Sequence, residues 1–425
     1  MKQQQRSIWT PPTEIVLSNG IRVLSDHVST VDSCSVGVWV RAGTRDEPEG
    51  RSGVAHFVEH TSFRRTRTRA TARISRDFEN RGAYANAYTT KEETCYYVRT
   101  LRDHLNAVTS TLADVVLNPV FDHKDVEKER TIIVEEIRSY EDDPEEHLFD
   151  LGEQQVFPQH AIGSSIIGSV SDVEGLRSKD IKAFHRDHYT ANNIVVAISG
   201  NHDLEAYARH LDRILTIASS NRQQQRKPPR KARPSHKEHP TQSQQAHALW
   251  QTHTTGYHHK DRYALQILNV VLGDGMSSRL NTRLRETRGI AYSVYSQLQL
   301  FMDCGILAVY AGIDESQRGS FDREVATILT TLAEDGITAS EHKRAIAQLR
   351  ASKLMSLESL TSRMTLLGKG IMENGLAEDP LEHIDMLESV NLVDVAAVAA
   401  RYCVPDRWST TYLIPSSVEH ATSAE

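Results

Sequence analysis

Residues 81–100 read RGAYANAYTTKEETCYYVRT, and residues 288–313 read RGIAYSVYSQLQLFMDCGILAVYAGI. In both, an Arg-Gly pair opens onto a run that alternates in polarity, the pattern of a strand with one buried face. The stretches start about 207 residues apart, and a helical pattern follows each. Each half then closes with a helix and a strand, IKAFHRDHYTANNIVVAISG at 181–200 against DVAAVAARYCVPDRWSTTYLIP at 394–415. So long a period marks a domain duplication, since solenoid repeats run at roughly 20–50 residues.

Between the halves, residues 219–245 read SSNRQQQRKPPRKARPSHKEHPTQSQQ, with four prolines and almost no apolar side chain. Such a segment buries too little surface to offset its ordering entropy and reads as a linker. The expected organisation is therefore a domain over 1–220, a basic polar linker over 221–244 and a homologous domain over 245–425. The Lys/Arg run at 222–237 has no interleaved aromatics in a chain of net charge −7, so nucleic acid is not an expected partner.

Working outward within the first half, Thr13–Leu17 and Ile21–Ser25 flank Asn19-Gly20, the strongest short hairpin signal. Residues 33–41 (SCSVGVWVR) alternate like a half-buried strand, and helical periodicity dominates 52–64, 69–81, 102–117 and 124–140. Strands and helices come in mixed order without regular βαβ units. That favours α+β architecture: two homologous domains, each a mostly antiparallel sheet with helices packed on one face.

The chain has 425 residues, 39 % of them hydrophobic and 25 % charged, enough apolar material for sizeable cores. Its four cysteines (Cys34, Cys95, Cys304, Cys403) are far apart and form no C-x-x-C pair, which argues against a disulfide scaffold or a zinc ribbon. No apolar run reaches the length of a membrane span. The start, MKQQQRSIWTPPTE, lacks the apolar core of a secretory signal, so a cytoplasmic location and no membrane partner are expected.

The stretch that carries chemistry is Gly53-Val54-Ala55-His56-Phe57-Val58-Glu59-His60. On a helix His56 and His60 are i and i+4, so both imidazoles leave one face and can share a zinc ion, with Glu59 on the adjoining edge. H-x-x-E-H is the inverted form of the zincin helix. A catalytic zinc takes three protein ligands and keeps one position open. Residues 124–143 (KDVEKERTIIVEEIRSYEDD) offer the third: Glu129, Ile133, Glu136, Ile137 and Tyr140 share a core-facing stripe. Glu135 falls on a mostly polar side with Lys128, Ile132, Arg138 and Asp142. Helical geometry therefore selects Glu136 over Glu135.

With these motifs the sequence resembles the inverted zinc peptidases typified by mitochondrial processing peptidase, pitrilysin and insulin-degrading enzyme. The likeness runs through NGIRVL, HFVEH, NAYTTKEETCYY, VEEIRSYEDDP, GMSSRL and LRETRGIAYSVYS, and the length matches the short, two-domain, processing-peptidase-like branch. It implies the processing peptidase/LuxS-like metallohydrolase fold and one Zn2+ per chain on His56, His60 and Glu136. It further implies Glu59 as general base and Glu129 as a supporting acid. Asn86 and Ala87 match the edge strand that docks the substrate backbone, and Arg285 and Tyr292 match a pair that the second half contributes to the site. One departure is plain: Phe63-Arg64-Arg65-Thr66 has Arg65 where the family has glycine, which leaves the loop conformation open though it changes no ligand.

The resemblance thus implies a zinc metalloendopeptidase acting on peptides or unfolded polypeptide, as a homodimer or as a heterodimer with a homologous chain. The alternatives are a catalytic subunit that needs such a partner and a non-catalytic core subunit of the same fold.

Overall fold

The computed structural model describes residues 9–220 and 226–416. Asn19-Gly20 closes a hairpin in which β1 (Thr13–Val16) runs antiparallel to β2 (Arg22–His27), with Gly20 at φ +89°. β3 (Ser33–Val40), β4 (Tyr84–Thr89), β5 (Thr94–Leu101) and β6 (Ile194–Gly200) complete a six-stranded sheet in the order β1-β2-β6-β3-β5-β4. Its β2–β6 pair is parallel and the others are antiparallel.

A second sheet holds β7 (His236–Thr241), β8 (Ala246–Thr254), β9 (Ala291–Leu300), β10 (Gly305–Ile313) and β11 (Ser409–Pro415), ordered β7-β11-β8-β10-β9. Here β7–β11 is the parallel pair and the rest are antiparallel. Matching β7 to β2, β11 to β6, β8 to β3, β10 to β5 and β9 to β4 makes the two pairing schemes the same. The duplication read from the sequence is thus a duplication of topology, with β1 as an extra strand on the first sheet.

Helices α1 (Val54–Ser62), α2 (Thr71–Glu79), α3 (Leu105–Leu117), α4 (His123–Asp142), α5 (Pro144–Val156), α6 (Val170–Gly175), α7 (Ser178–His188) and α8 (Leu204–Ile214) belong to the first half of the chain. In the second half are α9 (Arg262–Leu272), α10 (Arg318–Asp335), α11 (Ala339–Ser356), α12 (Leu360–Asn374), α13 (Pro380–Ser389) and α14 (Leu392–Tyr402). Strand period two sorts the first core: Cys34, Val36, Val38 and Val40 of β3 pack with Val54 and Phe57 of α1, Val108 and Leu112 of α3 and Ile133 of α4.

The opposite face of that sheet is also buried. Trp39, with Leu24, Val195 and Ala197, packs against Met364, Leu367 and Ile371 of α12. A Cβ on Gly368 would lie 2.5 Å from the Trp39 ring, so only glycine lets α12 come this close. The second sheet repeats the arrangement. Ala248, Trp250, Val309 and Ala311 face Leu265 and Leu268 of α9. Leu249, Ala308, Tyr310 and Leu413 face Leu148 and Val156 of α5.

The two compact units therefore do not follow the expected boundaries of 1–220 and 245–425. One gathers Met1–Arg138, Ser164–Lys227 and Arg350–Asp385; the other gathers Ser139–Gly163, Pro228–Leu349 and Met386–Glu425. Each sheet has its main helical layer on one face, while the other face meets a helix that its unit draws from the other half of the chain, α12 on the first sheet and α5 on the second. Periodicity cannot reveal this, because an apolar stripe announces burial without naming its partner.

The expected linker also needs correction. Residues 221–225 lie outside the described residues, but Arg226 binds Asp46 at 2.7 Å and His236–Thr241 is strand β7. The polar stretch HKEHPT showed no alternation because an edge strand facing water needs none, and an edge tolerates Pro240. Tyr140, expected on the buried stripe of α4, is 40 % exposed, since the last turn of that helix runs beyond the core.

Candidate metal centre

The helix α1 starts abruptly. Gly53 is its N-cap at φ +84°, and a Cβ there would come within 2.6 Å of the Ile167 carbonyl oxygen. Beneath this end Glu47 accepts the backbone N–H of Gly53 at 3.0 Å and of Ala55 at 2.9 Å, satisfying two donors that the helix leaves open. Burial pushes the Glu47 carboxyl up to about 8 despite those two bonds.

From α1 the side chains of His56, Glu59 and His60 leave the same side. His56 and Glu59 are buried and His60 is half-buried, with the two imidazole centroids 4.4 Å apart. Burial, helped by the neighbouring His60, pushes His56 down to about 3, so it is a neutral ring with a lone pair to give. Burial raises Glu59, opposed by the Thr89 hydroxyl, which donates to Glu59 Oε2 at 2.5 Å, and by His60.

The helix α4 brings Glu136 opposite the imidazoles. Its Oε1 lies 4.0 Å from His56 Nε2 and its Oε2 lies 3.6 Å from His60 Nε2. Glu135 points outward and pairs with Arg138 at 2.5 Å. His56, His60 and Glu136 each offer a ligand atom within 4.8 Å of the others. His56 Nδ1 and Glu136 Oε2 are buried without a hydrogen-bond partner among the described residues. Two imidazoles, one carboxylate and unsatisfied polar atoms among them form a donor set that fits a catalytic zinc.

A further carboxylate stands behind. Glu129, 3 % exposed, has Oε2 at 3.2 Å from His60 Nδ1, and Arg64 Nε donates to its Oε1. A carboxylate only accepts, so Glu129 takes an N–H from His60 Nδ1 and holds the ring with Nε2 toward Glu136. Asn86 and Ala87 lie on β4, an edge strand of the first sheet, where Asn86 Oδ1 accepts the Ala87 N–H at 2.8 Å. Thr89 ends that strand, so its bond to Glu59 ties α1 to the sheet edge.

Arg285 and Tyr292 belong to the second unit. Arg285 sits on the π-helical turn Asn281–Thr287, its guanidinium carbon 6.0 Å from the Tyr292 ring centroid, and Tyr292 near the start of β9 is 81 % exposed. Sequence reasoning passed over Glu47, Thr89 and Arg64. Of these only Arg64 left a signal, four residues and one helical turn beyond His60. No helix among the described residues is long and apolar enough to cross a membrane.

Residues 22–170 match the family model described as insulinase, peptidase family M16, and residues 175–349 match the peptidase M16 inactive domain. A relative from Mycobacterium leprae, called an uncharacterized zinc protease, is 36 % identical over 389 residues, covering 90 % of this chain and 87 % of that protein. The chain belongs to peptidase family M16. An uncharacterized zinc protease of Bacillus subtilis is 32 % identical to this M16 chain, across 91 % of it and 95 % of the relative.

Solved structures share the fold. A protease from Helicobacter pylori matches with a TM-score of 0.87 at 21 % identity, over 96 % of this chain and all (100 %) of that one. A peptidase M16 inactive domain structure from Pseudomonas fluorescens matches with a TM-score of 0.89 at 17 % identity, over 96 % of this chain and 98 % of that one.

Proposed function

We propose that this M16 chain is a zinc-dependent endopeptidase that hydrolyses peptides or unfolded segments, with one zinc held by His56, His60 and Glu136. The observation that carries this reading is the convergence of those three donors within 4.8 Å on two helices whose core packing fixes them. Zinc there would supply Lewis acidity toward a peptide carbonyl and toward water.

Glu59 is the group for proton transfer. It is buried beside the donor set, and both His60 and Glu136 act on its charge. Its carboxylate takes a proton from the attacking water and hands it to the departing amine, work typically worth about 10²–10⁴-fold in rate. Thr89 fixes its orientation, and Glu129 fixes the His60 ring. A peptide adding as a further strand beside β4, at Asn86 and Ala87, would be held mainly by backbone hydrogen bonds. Only an unfolded segment has a free strand edge to offer, which favours peptides over folded proteins.

The same reading takes Arg285 and Tyr292 as donors to the substrate carbonyl, and a homodimer as the working unit, with a heterodimer as the alternative. The test is cleavage of an internally quenched peptide by the purified chain. Activity removed by a chelator and restored by zinc is expected. Cleavage indifferent to the chelator would overturn the reading, while silence relieved by a homologous chain would favour the heterodimer.

A further inference from the structure

Just after α1 the chain carries Arg64-Arg65, and the structure puts the two arginines to different uses. Arg65 reaches the start of α4, where its Nε lies 3.0 Å from Asp125 Oδ2 and its Nη1 3.4 Å from Asp122 Oδ2. The Arg65 side chain is 48 % exposed and that of Asp125 is 8 % exposed, and neither of its acids touches His56, His60 or Glu136. Arg64 reaches one turn further along α4 and donates to Glu129, whose side chain is 4 % exposed. The same carboxylate meets His60 Nδ1 with its other oxygen.

We infer that Arg64 is a positioning residue for the metal centre: by holding both the place and the charge of Glu129, it fixes the His60 ring with Nε2 toward Glu136. The chain Arg64–Glu129–His60 has one buried member, and that member is useful only while it is paired. A buried carboxylate that loses its cation turns toward water or changes partner, because an unpaired charge is costly away from solvent. His60 would then lose the acceptor that sets its ring orientation and tautomer. Outer partners of this kind typically account for about 10–100-fold in metal affinity. Arg65 makes no such link, so the pair contains its own control: both arginines anchor the loop to α4, but only one touches the acid behind His60.

This inference rests on the metal-centre reading above, and the experiment separates the two. Metal-free protein is titrated with zinc against a competing chelator, alongside thermal denaturation without metal. Arg64→Gln should weaken zinc binding by about 10–100-fold. Arg65→Gln should leave it within about twofold, whatever it does to stability, because Asp122 and Asp125 make no contact with the three donors. Arg64→Lys, which keeps the charge, should recover much of the loss.

Should Arg64→Gln fail to fold, Glu129→Gln and the double variant Arg64→Gln/Glu129→Gln, which leaves no unpaired buried charge, give the same comparison. Equal zinc affinity for these two is expected, because both changes act through one contact. Wild-type affinity in Arg64→Gln, equal losses in Arg64→Gln and Arg65→Gln, or a further tenfold loss in the double variant would overturn the inference. A wild-type chain that takes up no zinc would instead overturn the metal-centre reading.

Discussion

Arg363 and Asp26 lie far apart in sequence yet form a two-point ion pair, with Nε donating to Oδ2 at 2.6 Å and Nη2 to Oδ1 at 2.7 Å. Asp26 also accepts from Ser199 Oγ at 2.5 Å, and both members of the pair are buried. The contact joins α12 to β2 on the face where Trp39 meets Gly368. Removing one member of a buried pair strands the other, at a cost of about 3–5 kcal/mol. Arg363→Ala or Asp26→Ala should lower stability by that amount in urea denaturation, and the double variant should be no worse than the poorer single. A loss under about 1 kcal/mol would mean that the pair is effectively solvated.

Metal binding and catalysis should separate by residue. Glu59→Gln should retain about one zinc per chain by elemental analysis yet lose cleavage, because Glu59 is assigned as base and not as ligand. Glu136→Gln and His60→Ala should lose the metal as well. An empty Glu59→Gln protein would show that the roles are misassigned.

Stability should fall as pH drops from about 6.5 to 4, in part through His185. Burial pushes this imidazole down to about 4 while its Nε2–H donates to the Val116 carbonyl at 2.8 Å, and the ring stacks on Tyr189. Its folded value lies below its unfolded one. The stabilisation it provides is therefore complete above the unfolded value and is lost as pH falls toward the folded value. Between those limits unfolding takes up a proton, so His185→Gln should flatten the slope of stability against pH by up to about 1.4 kcal/mol per unit. An unchanged slope in denaturation series across this range would exclude His185 as a source.

Tyr292→Phe should keep zinc and stability but lower kcat/KM by about 10–10³-fold, as loss of a transition-state donor does. Mixing Tyr292→Phe chains with Glu59→Gln chains tests whether the pair acts across a subunit boundary. Activity rising above that of Tyr292→Phe alone would show that it does, and no rise would assign the pair to its own chain. Full activity of Tyr292→Phe alone would remove the second unit from the chemistry.

Local signals carried most of what was legible. Asn19-Gly20 announced its hairpin because positive φ at Gly20 is a one-residue property. The i, i+4 spacing of His56 and His60, and the side of α4 occupied by Glu136, follow from helical geometry alone. Strand β7 was invisible because its pairing is set by β11, more than 160 residues later in the chain, and not by its own polar residues. The places of α5 and α12 were hidden for a related reason, since nothing in Met364 or Leu367 says that the surface they cover includes Trp39. Arg64 shows the same limit at the site: its charge is plain in the sequence, but its partner is chosen by how α1 and α4 lie together.

The borrowed helix has a consequence for biosynthesis. A ribosome completes β6 at Gly200 but does not reach Leu360, where α12 begins, until some 160 residues later. At common elongation rates that interval is roughly 8–30 s. Throughout it Trp39, Leu24 and Val195 form an apolar surface with no cover of their own, the kind of nascent surface that holdase chaperones bind. The helices that carry His56, His60 and Glu136 are thus made well before the sheet behind them is sealed. A message truncated before α12 would yield His56, His60 and Glu136 on a unit whose sheet stays uncovered on one face.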